Sequence, residues 1–208
     1  MSSTQHIQSI FKSRKNLLEI LESRGYDITP YNNFSINEIG ILLETNQLDM
    51  LVENNENNKK IYVKYYINKV IKPQNMYEIV EDLHHLENIL TKNDDLIIII
   101  KDEPNDTLIQ NVKDIWEMDG IYISLLNIKR LQFNVLKHSL QPTFRVLSKK
   151  EENEFKRKYN VLDNSQIPDI SYFSPVSLVL GIRPNNIVEI TRDSRTAISA
   201  PFYRVCKI

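Results

Sequence analysis

The chain has 208 residues, which is long enough for one large domain or two small ones. Hydrophobic residues make up 41% of it and charged residues 25%, proportions that are ordinary for globular proteins and disfavour a disordered or fibrous chain. The formal net charge of −1 divides unevenly, because residues 1–134 carry 14 basic and 20 acidic side chains (−6) whereas residues 135–208 carry 12 and 7 (+5). This asymmetry suggests two domains with different partners, although it is too small to indicate a nucleic-acid binder by itself.

The cysteine content and the apolar runs indicate the compartment. A single cysteine, Cys206, cannot form an intramolecular disulfide, which fits a reducing environment. The first residues lack the apolar run of a signal peptide, and the longest apolar run, residues 96–100, is too short to cross a bilayer. We expect a soluble intracellular protein with no membrane contact.

Hydrophobic periodicity and capping signals predict four helices and four strands in the N-terminal part. Gly25 follows the first helix where a C′ glycine belongs, and Ser35 with Glu38 forms a capping-box pattern that opens the second. We predict Asn75 as the cap of the third helix and Pro104 at the start of the fourth. The predicted helices cover residues 4–24, 35–46, 75–90 and 104–119, and the predicted strands cover residues 48–52, 60–67, 96–101 and 121–126.

Strands that alternate with helices imply a sheet with parallel members and helices on its faces. Residues 96–101 are a β-branched run bounded by polar turns, so we expect a central strand that is buried on both faces. These patterns predict an α/β domain for residues 1–134.

The last third of the chain follows a different pattern, because five of the eight prolines divide it into short pieces. A capping box at Ser148 opens a helix to about residue 158, and Ser174 with Pro175 opens a short helix that stops at Gly181. Alternating residues predict two strands, 187–192 and 202–207. We predict a compact α+β module with a short sheet for residues 135–208, and hence an α+β protein of two domains.

The N-terminal part has few candidates for metal chemistry. A nuclease-type metal site needs an acidic residue two positions before a lysine on a strand, but Tyr62 stands two positions before Lys64. Acidic pairs flank the predicted central strand at residues 94–95 and 102–103, and we interpret them as solvated loop charges rather than ligands. Adjacent His84 and His85 would point about 100° apart on a helix and cannot share a metal.

Familiar catalytic motifs do not occur in the sequence, and four glycines leave little scope for a phosphate-binding loop. We therefore expect no catalytic residues, no metal, no cofactor and no small-molecule substrate. Three basic residues on the predicted first helix, Lys12, Arg14 and Lys15, could contact DNA phosphates without reading sequence, and the alternative is that they form a solvated face.

Several short motifs follow one another in the C-terminal part. They are His138-x-Leu140-x-Pro142, QIPDI at 166–170, SPV at 174–176, IVEITR at 187–192, Ser194-x-Thr196 and the pair Tyr203-Arg204. In order and spacing they resemble the fifth subunit of eukaryotic nuclear RNA polymerases, whose C-terminal part matches a short archaeal RNA polymerase subunit. The chain departs from that family at five places, where the family usually has His at Phe144, Asp at Ser174, Arg-Tyr at Leu178-Val179, Glu at Arg195 and Gly-Arg at Ile198-Ser199. Residues 1–134 are similar mainly in length and element order.

The resemblance implies a non-catalytic subunit of a DNA-directed RNA polymerase, with nucleotidyl transfer performed by the two largest subunits. It implies that residues 135–208 are an assembly domain that anchors to the largest subunit. Residues 1–134 would be a jaw domain near downstream double-stranded DNA, similar in fold to a nuclease core but without its active site. The residues implied at the interface with the largest subunit are Pro168, Pro175, Arg192, Ser194, Thr196, Tyr203 and Arg204.

The two-domain length fits a eukaryotic or viral member of the family, and the enrichment in Asn and Ile favours a large DNA virus. Its location would then be the virion and the host cytoplasm, or the nucleus if the chain is cellular. Two other functions stay open, a diverged metal-dependent nuclease of the same core fold and a stand-alone protein-binding adaptor.

Overall fold

The computed structural model describes residues 3–208. Contacts between Cα atoms divide the chain into two compact units, one ending at Asn134 and the other covering Val135–Ile208. Each unit has its own four-stranded sheet and its own helices, so the predicted α+β class is confirmed. Within the described residues, no helix is both long enough and apolar enough to span a bilayer.

The N-terminal unit has the predicted order of helices and strands. Its sheet has the order β1-β2-β3-β4, in which β1 pairs antiparallel with β2 and the other neighbours are parallel. The elements are α1 (Ser3–Ser23), α2 (Ile36–Glu44), β1 (Met50–Glu53), β2 (Lys60–Tyr66), α3 (Pro73–Glu81), β3 (Asp95–Ile100), α4 (Asp106–Asp119) and β4 (Tyr122–Asn127).

The core of this unit lies along the two inner parallel strands and β4. Every residue of β3 and β4 is buried, which confirms the prediction of a central strand covered on both faces. Along β2 the burial alternates, because one face of that strand looks toward solvent. Helix α1 contacts α2 and the 3-10 turn Arg130–Gln132, and α3 contacts α4.

Two predicted helix starts were wrong by a few residues. Helix α3 begins at Pro73, because a proline without an N–H fits the first helical turn, and the Asn75 side-chain carbonyl accepts a hydrogen bond from the Lys72 N–H inside that turn. Its α-helical part ends at Glu81 and continues as a π-helical turn over Asp82–Leu86. Helix α4 is capped by Asn105, whose Oδ1 accepts from Leu108 N at 2.9 Å, so Pro104 precedes the cap.

The interpretation of both acidic pairs as solvated was wrong for the first pair. Asp94 and Asp95, at the start of β3, are only 5% and 1% exposed. The Asp95 carboxylate lies 2.8 Å from Lys59 Nζ and 3.2 Å from Arg24 Nη2, and Asp94 accepts from Thr91 and from the Lys60 N–H. Charges can be buried here because cations and N–H donors brought by other segments compensate their desolvation. The second pair, residues 102–103, is exposed as predicted.

The C-terminal unit contains a mixed sheet of order β5-β7-β8-β6 and two helices. Strands β7 and β8 form an antiparallel hairpin, β5 pairs antiparallel with β7, and β6 pairs parallel with β8. Strands β5 and β6 were not predicted, because each is too short to show a period. The elements are β5 (Thr143–Val146), α5 (Lys149–Lys158), β6 (Asp169–Ser171), α6 (Pro175–Leu180), β7 (Ile187–Ser194) and β8 (Ile198–Lys207).

The helices of this unit begin and end where the capping signals indicate. Ser148 and Glu151 form the predicted capping box, and Ser174 accepts from Ser177 N at 3.2 Å. Helix α6 ends at Gly181, whose φ of 68° is one that most side chains disfavour. One face of the sheet packs on Phe155 of α5, and the buried core there consists of Leu147, Ile167, Ile187 and Val205.

Candidate functional site

The predicted interface residues concentrate on the β7–β8 hairpin. The register pairs Val188 with Arg204, Ile190 with Phe202 and Arg192 with Ala200 across the two strands. Because side chains alternate between faces along a strand, Arg192 and Arg204 share one face with Phe202. Tyr203 lies on the opposite face, so the predicted residues do not form one continuous surface.

Two arginines contact the same aromatic ring on the first face. The Arg192 guanidinium carbon lies 4.4 Å from the centre of the Phe202 ring, and the Arg204 carbon lies 5.2 Å from it. Arg204 also donates from Nη1 to the Asp169 carbonyl at 2.6 Å, which ties the hairpin to β6. The ring holds both cations in place by cation–π attraction without neutralising them, so their charges remain open to a partner.

Tyr203 belongs to an aromatic cluster on the second face. Its ring centre lies 4.3 Å from that of Phe155 and 5.8 Å from that of Tyr159. Its hydroxyl donates to the Glu189 carboxylate at 3.1 Å, and burial together with this hydrogen bond raises the pKa of the Tyr203 phenol. The cluster forms one wall of an open groove of about 450 Å³.

The two predicted prolines are in different places. Pro168 lines the groove beside Tyr203, and its carbonyl accepts from Val205 N at 2.9 Å. Pro175 occupies the first turn of α6, where its missing N–H costs nothing, and it is exposed. Only Pro168 therefore joins the hairpin residues.

Ser194 and Thr196 shape the turn of the hairpin. The Ser194 hydroxyl accepts hydrogen bonds from the Thr196 and Ala197 N–H groups at 3.4 and 3.3 Å. Ile198 follows the turn with φ of 60°, a left-handed conformation that is costly for a β-branched side chain, and it is 90% exposed. The tip of the hairpin is thus an ordered turn that presents a large apolar side chain to solvent.

A network of charges that we did not predict joins β5, β7 and α5. The Arg145 guanidinium contacts the carboxylates of Glu151 and Glu189. Hydrogen bonds from Ser148 and from Arg145 lower the pKa of Glu151 to about 2. The only sequence signal was the capping box at Glu151, because the contact with Glu189 depends on the pairing of β5 with β7.

Arg14, predicted near DNA, is buried, and that prediction was wrong. Its side chain is 3% exposed, and its Nη1 donates to the Leu48 carbonyl at 2.6 Å. The rings of Tyr31 and Phe34 lie 5.6 and 5.4 Å from its guanidinium carbon, and burial lowers the pKa of this group. An arginine can be buried in this way because a carbonyl and two ring faces replace its water. Lys12 and Lys15 are exposed on α1.

Lys64 of β2, the lysine considered for a nuclease-type metal site, contacts a carboxylate that the sequence did not indicate. Asp49, just before β1, lies 2.7 Å from Lys64 Nζ, and it also accepts from the Tyr62 hydroxyl and the Tyr65 N–H. Sequence spacing could not reveal Asp49, because it meets Lys64 through the pairing of two strands. Within residues 3–208 no three His, Cys, Asp or Glu residues are grouped so that they could hold a metal ion.

Comparison with known proteins finds similarity over both units of the chain. Residues 133–206 match the family model described as RNA polymerase Rpb5, C-terminal domain, which nearly coincides with the C-terminal unit. Over a stretch of 74 residues the chain is 38% identical to DNA-directed RNA polymerase subunit Rpo5 of Thermococcus celer, and this stretch covers 36% of this chain and 89% of that protein.

Two eukaryotic relatives extend over nearly the whole chain. DNA-directed RNA polymerases IV and V subunit 5B of Arabidopsis thaliana is 25% identical over 97% of this chain and 91% of its own length. DNA-directed RNA polymerases I, II, and III subunit rpabc1 of Dictyostelium discoideum is 24% identical over 97% of this chain and 99% of its own length. Because residues 133–206 match the Rpb5 C-terminal domain and the chain is 38% identical to archaeal Rpo5 over 89% of that subunit, the chain belongs to the RNA polymerase Rpb5 family.

Proposed function

We propose that this protein is a non-catalytic subunit of a DNA-directed RNA polymerase. In this proposal the C-terminal unit, Val135–Ile208, is an assembly domain that anchors to the largest subunit, and residues 1–134 are a jaw domain near downstream DNA. The observation that carries the proposal is the match of residues 133–206 to the Rpb5 C-terminal domain. Full-length relatives that are named polymerase subunits support the two-domain form.

The β7–β8 hairpin has properties expected of an anchoring surface. Arg192 and Arg204 keep their charges while the Phe202 ring holds them in position, which lowers the entropy lost when a partner binds them. Arginine is enriched among residues that dominate protein interfaces, because its planar group forms paired hydrogen bonds with carboxylates and carbonyls. These two side chains are the first that we assign to the interface with the largest subunit.

In the N-terminal unit, Lys12 and Lys15 remain as exposed cations for contacts with downstream DNA. They lie three residues apart on α1, so they are neighbours on one side of that helix. Such contacts would add salt-sensitive attraction without sequence preference. Arg14 between them has no part in this, because it is buried.

The alternative function, a diverged metal-dependent nuclease, has one observation in its favour, the contact of Asp49 with Lys64. That carboxylate already accepts hydrogen bonds from Lys64, Tyr62 and the Tyr65 N–H, so a metal would have to displace these donors. A nuclease assay with manganese tests it. Cleavage that Asp49→Asn abolishes would establish the nuclease in place of the polymerase subunit.

We also propose that the chain belongs to the polymerase of a large DNA virus and acts in the virion and host cytoplasm. The enrichment in Asn and Ile and the departures from the residues usual in the family support this proposal. The assembly role and the viral origin are both tested by purifying the tagged protein from its native cells or virions and identifying its partners by mass spectrometry. Recovery of the largest polymerase subunits supports an assembly role. A set of partners without any polymerase subunit would instead identify a stand-alone adaptor.

A further inference from the structure

One edge of strand β8 is only partly covered. Along one side, β7 pairs with residues 198–205 of β8. Along the other side, β6 pairs with Val205, Cys206 and Lys207 and goes no further. Among the described residues, no strand pairs with that outer edge of residues 198–204.

The hydrogen bonds at the end of β8 show which backbone groups face this outer edge. The Val205 N–H donates to the Pro168 carbonyl on the β6 side, whereas the Cys206 N–H donates to the Asn186 carbonyl beyond the start of β7. Since backbone groups alternate in direction along a strand, the N–H and C=O of Tyr203 and the C=O of Pro201 point outward. Pro201 itself has no N–H, so the edge offers a short ladder centred on Tyr203.

A groove runs beside this edge and is lined by rings and apolar side chains. Phe155 and Tyr159 of α5, Ile167 and Pro168 before β6, and Pro201 to Tyr203 of β8 contribute to it. Tyr159 is 50% exposed although its ring contacts the aromatic cluster. Apolar side chains of an added strand would bury these rings, and its backbone would satisfy the Tyr203 groups.

The charges around the edge indicate which charge a segment that binds there would need. Four acidic side chains of the sheet and of α5 already have basic partners: Glu151 and Glu189 contact Arg145, Glu152 contacts Lys149, and Asp169 lies 3.7 Å from Lys207. On the other face of the hairpin, Arg192 and Arg204 have ring contacts, and no ion pair is seen for either in residues 3–208. With 12 basic and 7 acidic residues in the unit, an acidic segment is complementary.

We infer that an extended acidic segment of another polymerase subunit adds as a strand to the outer edge of β8 at Tyr203. Its alternate side chains would be apolar, toward Phe155 and Tyr159, and acidic, toward Arg192 and Arg204. Main-chain hydrogen bonds supply affinity in such strand addition, and the alternating side chains supply specificity. Pro201 limits the ladder, which protects the free subunit from indiscriminate pairing. The inference rests on the proposed function and names the way in which the assembly surface binds.

Hydrogen exchange of single amides tests this addition, with the full chain measured alone and in the purified polymerase. We expect the Tyr203 amide to exchange freely in the isolated chain, because no described strand pairs with that edge, and to slow by at least about tenfold in the complex. The amides of Phe202 and Arg204 face β7 and serve as internal controls, protected in both states. A Tyr203 amide that stays unprotected in an intact polymerase overturns strand addition and leaves the proposed function standing.

A charge reversal tests the acidic character of the segment. Arg192→Glu should lower incorporation into polymerase at least about tenfold, while Lys150→Glu, an exposed cation at the start of α5, serves as the matched control with the same charge change. Equal incorporation of both variants refutes an acidic occupant. Failure of the unsubstituted chain to recover any polymerase subunit is a different result, because it refutes the proposed function and the inference with it.

Discussion

Truncation of the two hairpin arginines separates an interface role from a folding role. In the free subunit, Arg192 makes a cation–π contact with Phe202, and such a contact at an exposed site contributes about 0.5–1 kcal/mol. Arg204 adds a hydrogen bond to the Asp169 carbonyl, worth about 0.5–1.5 kcal/mol net. We therefore expect Arg192→Ala to lower the free energy of unfolding by less than about 1 kcal/mol and Arg204→Ala by about 1–2 kcal/mol.

The expected loss in assembly is larger, because an arginine buried at an interface costs about 2 kcal/mol or more when truncated. A loss of that size reduces the association constant roughly thirtyfold. Urea titration of the free variants measures the first quantity, and quantitative co-purification with the largest subunit measures the second. Lys150→Ala is the control for loss of an exposed cation in the same unit. Unchanged co-purification of both arginine variants would refute the assignment of this face to the interface.

Three further predictions concern stability. Asp95→Ala should lower the free energy of unfolding by about 3 kcal/mol, because it removes the buried carboxylate that contacts Arg24 and Lys59. Asp102→Ala, at an exposed site, should change the free energy of unfolding by less than about 0.5 kcal/mol. Equal urea midpoints for the two variants would contradict this prediction. Ile198→Gly should stabilise the free subunit by up to about 1 kcal/mol, because glycine removes the cost of the left-handed φ and no packing is lost at an exposed tip; a lower melting temperature would count against the strain. The pKa of Glu151 is lowered from 4.5 to about 2, so its stabilising contribution is complete above about pH 4.5 and disappears as the pH falls toward 2. The difference in melting temperature between the unsubstituted chain and Glu151→Gln should therefore shrink over that interval, and a constant difference would argue against the network.

Local signals predicted most of the secondary structure correctly because their physics is local. A serine hydroxyl and a glutamate three residues later satisfy the free N–H groups of one helical turn, and the boxes at Ser35 and Ser148 both formed. The glycines at 25 and 120 occupy left-handed positions after their helices for the same kind of reason. Errors came where two signals competed, as at Asn75, where Pro73 starts the helix earlier.

The candidate site was predicted only in part. The motif order singled out Arg192, Arg204 and Tyr203, but alternation along β8 places the tyrosine on the opposite face from the arginines. The short strands β5 and β6 escaped prediction, and with them the network of Arg145 and the partly open edge of β8. A strand of three or four residues has too few side chains to show a period, and its existence depends on the partner beside it.

Periodicity, capping residues and prolines along the chain were sufficient to establish two different structural patterns and the order of helices and strands in the first. Only the tertiary structure decided the environment of each charge. In the sequence, nothing distinguishes the charged residues Arg14 and Asp95 from Lys12 and Asp102, which are exposed. Arg14 and Asp95 are nevertheless buried beside groups from distant segments. Burial of a charge depends on compensating partners, and those partners meet it only when strands and helices far apart in sequence pack together.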